Sequence, residues 1–188
     1  MLALLGTPRW MRGDTTEEVV RVTRPVALVA YLAAHGGWVT RAAIATLFWP
    51  DLDEREARTF ARVLVHRARK LRWVGDGLVL SGDRMRLDLP TDVAVFRAAC
   101  ARRDGDAAFA AYVGPFLDGV ALGDAPAYDA WLEAERADLA ATALAVARAS
   151  AESAADAATA ADAWQRLAAL DPLDPEVAAR AVAALAAA

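Results

Sequence analysis

The segment Asp53 to Arg72 constrains the fold most, because it reads as a helix with two opposed faces. At about 100° per residue, Arg55, Arg58, Arg62, His66 and Arg69 fall within roughly 80° of one another. Ala57, Phe60, Ala61, Leu64, Ala68 and Leu71 make the opposing apolar stripe, so one side is suited to burial and the other to negative charge. Asp53, with Glu56 three residues on, marks the helix start, and Glu54 and Glu56 complement its positive end. Between Asp53 and Arg72 the chain holds seven Lys/Arg against three acids. This concentration stands out because the whole chain carries a net charge of −4. A phosphate backbone is the partner such a face implies.

The charge is also divided along the chain. Residues 1–88 hold 14 Lys/Arg and 10 Asp/Glu, whereas residues 89–188 hold 7 and 15. A basic first part suits nucleic acid, and an acidic second part is repelled by it and suits protein partners.

At 188 residues, 57% of them hydrophobic, the chain is long enough for one sizeable core or two small ones. The single cysteine, Cys100, cannot form an intrachain disulfide and reads as a small buried residue. No apolar run approaches the ~20 residues of a membrane span, and the opening MLALLG lacks the length and basic lead of an export signal. A cytoplasmic protein without membrane contact is expected.

The flanking segments give the helix its context. Leu2–Leu5 and Val19–Val22 read as strands of a small antiparallel sheet, with Gly6, Pro8, Gly13 and Asp14 as turn residues between them. Pro25 opens a helix that runs to His35 and stops at Gly36-Gly37. Thr40 is placed to cap a second helix, Arg41–Phe48, ended by Trp49-Pro50. After Arg72, a Gly75-Asp76-Gly77 turn leads to a predicted hairpin, Leu78–Ser81 and Arg84–Leu89, carrying Arg84 and Arg86. Helix, helix, basic helix and hairpin is the order of a winged helix-turn-helix, in which the third helix enters the major groove and the hairpin reaches the neighbouring backbone or minor groove. Downstream, 92–103, 105–113, 126–153, 159–170 and 175–186 read as helices, broken at Gly105, Gly114-Pro115, Asp156 and Asp171-Pro172. These helices are Ala-rich and must pack closely, with Tyr112, Tyr128, Trp131 and Trp164 as large anchors.

The run PVALVAYLAAHGGWVTRAAIATLFWPD, the basic helix ending HRARKLR and the hairpin LVLSGDRMRLDL together resemble the OmpR/PhoB-type DNA-binding domain of SARP-like transcriptional regulators. The later segments DVAVFRAA, YVGPFLDGV, YDAWLEAERADL and WQRLAALDPLDPEVA resemble the bacterial transcriptional activator domain that follows it in that family. The resemblance implies an α+β winged helix-turn-helix over residues 1–90, followed over 91–188 by an all-α, tetratricopeptide-like helical-repeat domain. It further implies a transcription factor that binds direct repeats in promoter DNA, recruits RNA polymerase and self-associates. The family's second domain usually continues beyond the point where this chain ends, so an apolar face around Val182 and Leu185 is expected to seek a partner, and a homodimer is expected.

Residue roles follow at the same level. Arg58, Thr59, Arg62, His66 and Arg69 form the groove-facing set, with Arg62 at its centre and suited to bidentate pairing with guanine. Arg55, Arg67, Lys70 and Arg72, with Thr40 and Arg41, are placed for phosphates, and Arg84 and Arg86 for the minor groove or its edge. Arg67 lies about 140° from Arg62 and belongs to the edge. His35 reads as a helix C-terminal residue, Trp49 as packing beneath its loop, and Glu133, Glu135 and Asp138 as a charged helix face. Two histidines and one cysteine offer no metal spacing, Gly75-x-Gly77 lacks a nucleotide fingerprint, and no catalytic constellation appears, so neither enzyme activity nor a cofactor is expected. The alternative reading is a protein-interaction scaffold whose winged helix no longer binds DNA.

Overall fold

The structure is a computed structural model that describes residues 1–12 and 15–188. It begins with an antiparallel sheet of β1 (Leu2–Ala3), β2 (Arg9–Arg12) and β3 (Thr15–Val19), in that order. Two strands were expected here, at Leu2–Leu5 and Val19–Val22. The middle strand β2 is additional, pairing Trp10 with Leu2 and Arg9 with Ala3. The third strand lies ahead of its expected place. Gly13 and Asp14, expected as turn residues, lie outside the described residues.

Helix α1 (Arg24–His35) has Pro25 in its first turn and ends where Gly36 turns left-handed at φ +69° and donates its N–H to the Leu32 carbonyl. Its residues from Val26 to Ala34 are buried apart from Tyr31, as befits a central helix. Strand β4 (Val39–Thr40) leads directly into α2 (Arg41–Phe48), where Thr40 Oγ1 accepts from the Ala43 N–H at 3.1 Å. Helix α3 (Glu54–Arg69) starts in the same way, with Asp53 Oδ1 accepting from the Glu56 N–H at 2.9 Å. A 3-10 turn, Gly75–Gly77, precedes the hairpin β5 (Leu78–Ser81) and β6 (Arg84–Leu87). The hairpin joins β4 in a second antiparallel sheet of order β4-β6-β5, with Val39 opposite Met85 and Thr40 opposite Arg84.

Five helices follow: α4 (Asp92–Ala101), α5 (Gly105–Ala111), α6 (Pro126–Glu152), α7 (Ala157–Leu170) and α8 (Pro175–Ala187). The layout is therefore α+β in its first part and all-helical in its second. Side-chain oxygens of Thr91, Asp104, Asp156 and Asp174 cap α4, α5, α7 and α8. A Cβ at Gly105 would come within 2.8 Å of Ser150 Oγ, so the glycine permits α5 to approach α6 closely.

One core runs through both parts without a break at residue 90. Leu2, Leu28, Phe48, Leu64, Phe96, Phe116, Tyr128 and Leu139 all belong to it. A smaller cluster of Ala147, Ala151, Trp164, Leu167, Val177 and Ala181 lies beyond, among α6, α7 and α8. Tyr112, Tyr128 and Trp164 are buried anchors; Trp131 is half-buried and meets Tyr31 edge-on at 4.7 Å.

The two parts are joined at Asp92, a carboxylate only 6% exposed. Its Oδ1 accepts from the backbone N–H groups of Leu4 and Val93 at 2.8 Å, and its Oδ2 from those of Leu4 and Leu5 at 2.9 Å. Burial pushes this carboxyl above its ordinary range, and the N–H donors pull it back. Arg97 adds a second tie, pairing with Glu135 and donating to the Ala34 carbonyl. Burial is also the main influence on Glu135, raising its carboxyl against the pull of Arg97. On α8, Val182 and Leu185 are 68% and 50% exposed.

Candidate nucleic-acid interface

The α3 face is set by how deeply the helix sits. Ala57, Ala61, Leu64, Val65 and Ala68 are buried against α1 and α2. Relative to expectation, the buried stripe has turned toward Val65, and Phe60 has left it. Phe60 is 48% exposed and stacks on Trp49 with ring centroids 5.6 Å apart. Leu71 is only half-buried. At about 100° per residue the middle of the exposed arc consequently falls near Thr59 and His66. Arg62 therefore stands on its flank rather than at its centre.

Arg55, Arg58, Thr59, Arg62, His66, Arg67, Arg69, Lys70 and Arg72 are all exposed. Their local partners differ. Arg58 pairs with Glu54 one turn earlier, which offsets part of its charge. Thr59 Oγ donates to the Arg55 carbonyl at 2.9 Å, which leaves its methyl and its oxygen lone pairs for other contacts. Val63, 44% exposed, adds an apolar spot to the same surface.

The hairpin is fixed to α2 by Arg41. Its backbone N–H donates to the Asp83 carbonyl at 2.8 Å and its Nη1 to the Gly82 carbonyl at 3.0 Å. Arg41 thus ties the hairpin turn to the start of α2, a structural role in addition to the phosphate contact expected for it. Thr40 is likewise engaged, as the α2 cap.

Arg84 and Arg86, both exposed, flank the Trp38 ring with guanidinium carbons 5.8 Å and 5.0 Å from its centroid. Arg86 also reaches Asp88 at 3.5 Å. Trp38 escaped sequence reasoning because its partners lie more than forty residues on; its adjacency to the β4 strand was the available signal. The tryptophan face draws both cations by its quadrupole and limits the volume they sweep.

The other conspicuous residues have structural partners. Trp49 packs against Phe48 and Phe60 and lies under the Arg24 guanidinium at 5.4 Å. His35 is at the C-terminus of α1 and stacks on Tyr31. Glu133 pairs with Arg136, which also donates to the carbonyls of Phe116, Leu117 and Val120. Cys100 is half-buried, and that burial raises its thiol. Among the described residues no group of three or more His, Cys, Asp or Glu could hold a metal ion, and no helix is long and apolar enough to cross a membrane.

No protein-family profile matches the chain, and no curated protein matches it at a significant level.

Proposed function

We propose that the protein is a sequence-specific, double-stranded DNA-binding transcriptional regulator of the winged helix-turn-helix kind. The observation that carries this reading is the continuous exposed cationic surface of α3, flanked by the Arg84–Trp38–Arg86 cluster of the hairpin. A 16-residue helix is about 24 Å long, enough to lie along a major groove that admits one helix. In this reading α3 is the recognition helix. Thr59, Arg62 and His66 face base edges, with Arg58 and Arg69 beside them, and Arg55, Arg67, Lys70 and Arg72 meet phosphates. The hairpin is the wing, and Arg84 and Arg86 address the minor groove.

The resemblance to SARP-like regulators supports extending the reading to an activator that binds promoter direct repeats, associates with the nucleoid, contacts RNA polymerase and self-associates. The exposed Val182 and Leu185 favour α8 as the self-association surface.

Selection from random duplex DNA, repeated at two salt concentrations, tests the reading. An enriched direct repeat is expected. Arg62→Ala should cost about 1–3 kcal/mol on the selected site and relax sequence choice, while Arg72→Ala should weaken all sequences and lower the salt slope. Absence of any enrichment at either salt would overturn DNA reading and favour a protein-interaction scaffold.

A further inference from the structure

A cavity of about 420 Å³ opens between the first sheet and helices α4 and α5. Its wall is almost wholly apolar, with Met1, Met11, Val95, Ala111 and Val113 prominent in it. Val95 and Val113 stand exposed beside it although each is a large apolar residue.

Among the described residues three charged groups line this space, the Arg9 and Asp92 side chains and the Met1 ammonium, which donates to the Met11 carbonyl at 2.7 Å. They differ in availability. Both Asp92 oxygens are occupied by the N–H groups of Leu4, Leu5 and Val93. Arg9, in contrast, is half-buried at this apolar wall, and no ion pair to it is found among the described residues. A guanidinium cannot shed its proton, so a half-buried one beside an apolar wall favours an anionic partner. The group that suits it is planar and anionic with two oxygens, because a carboxylate meets the guanidinium fork with two parallel bonds.

We propose that this cavity is a binding site for a small monocarboxylate with an apolar body. The carboxylate sits on Arg9, and the hydrocarbon lies along Met11, Val95 and Val113. The volume is within the range of small-molecule sites, about 300–1,000 Å³, and the lining offers two cations, Arg9 and the Met1 ammonium, rather than the several polar groups a sugar or nucleotide would need. No residue of α3 lines the site, and the proposal does not depend on the DNA reading.

Calorimetric titration of the full chain with decanoate and, separately, with decanol tests the proposal. Both present the same chain to the apolar wall, and only decanoate presents an anion to Arg9. Decanoate should saturate one site and bind about tenfold or more tightly than decanol. Arg9→Gln should remove that preference and leave decanol binding unchanged. Trp10, next to Arg9 on β2 and stacked on Trp73 at 6.0 Å, supplies a fluorescence signal for the same titration. No saturable decanoate binding up to about 1 mM, or equal affinity of the wild-type chain for the two probes, would overturn the proposal whether or not the Arg9 variant folds. Retention of the preference in a folded Arg9→Gln chain would overturn it as well.

Discussion

Replacing Asp92 with asparagine changes almost no volume and removes one acceptor atom from the joint between the first sheet and α4. In the wild-type chain three backbone N–H groups, those of Leu4, Leu5 and Val93, converge on the two carboxylate oxygens at 2.8–2.9 Å. An asparagine oxygen at the Oδ1 position still serves Leu4 and Val93, but its amide nitrogen then confronts the Leu5 N–H, donor against donor. With the amide flipped, Leu4 and Leu5 are served and Val93 is orphaned. Either way one buried donor is left unmade, at about 1–3 kcal/mol, and the surviving bonds lose their charge assistance, about 1 kcal/mol more. The expected loss is thus about 2–4 kcal/mol. Asp92→Ala orphans all three donors and should cost more than the asparagine, approaching the whole margin of a domain this size. Urea unfolding at pH 7 followed by tryptophan fluorescence would show a lower midpoint for both variants, in that order. A loss below about 0.5 kcal/mol for asparagine, or equal losses for the two, would show that these N–H groups are satisfied without the carboxylate.

Three further outcomes are expected. Tyr128 is fully buried with no partner for its hydroxyl, so Tyr128→Phe should be neutral or stabilise the chain by up to about 2 kcal/mol in thermal unfolding; a clear loss would mean that the hydroxyl is bonded. The N–H donors of Val177 and Glu176, with Arg148, hold the Asp174 carboxyl below its usual range. A depressed folded-state value stabilises above the unfolded pKa of about 3.9 and is lost as pH falls through the folded value. Far-ultraviolet dichroism of the wild-type chain should therefore fall faster below pH ~4 than that of Asp174→Asn, which keeps a cap but does not titrate, and parallel curves would refute this. Trp38→Ala frees two arginines held by contacts worth about 0.5–1 kcal/mol each, so under the proposed DNA-binding function affinity for the selected duplex should drop about fivefold by gel shift with little change in melting temperature; unchanged affinity would remove Trp38 from the proposed interface.

Much of the helical layout was legible because the signals are local. Thr40, Asp53, Asp156 and Asp174 accept from N–H groups two or three residues ahead, and Gly36 closes α1 on the carbonyl four residues behind; sequence alone placed the Thr40, Asp53 and Gly36 ends, whereas α7 begins at Ala157, ahead of the expected residue 159. What escaped depends on distant partners. Strand β2 exists because Trp10 and Arg9 meet Leu2 and Ala3 across the sheet, and nothing in its own four residues demands it. Phe60 has the right spacing for the buried stripe, but Trp49 offers it a ring at the surface, and the helix turns to bury Val65 instead. Asp92 reads locally as a helix-start carboxylate; its partners Leu4 and Leu5 lie almost ninety residues earlier. For the candidate site, the identities of the exposed basic residues were legible, whereas the engagement of Arg41 by the hairpin depends on a turn some forty residues on, and that of Arg58 by Glu54 on which side-chain conformers the two adopt.

Helix α6 changes allegiance along its length. Tyr128, Leu132 and Leu139 belong to the core shared with the sheets, whereas Ala147 and Ala151 face α7 and α8. The far cluster contains one tryptophan and otherwise only residues up to leucine in size, so it gains far less from burial than the core it adjoins. Heat or denaturant should therefore peel α7 and α8 from the end of α6 while the sheets, α1 to α5 and the first turns of α6 hold together. In cooperative terms the seam of this molecule lies near Ser153–Asp156, and a chain severed there would lose an appendage, whereas one severed at residue 90 would lose half of a shared interior.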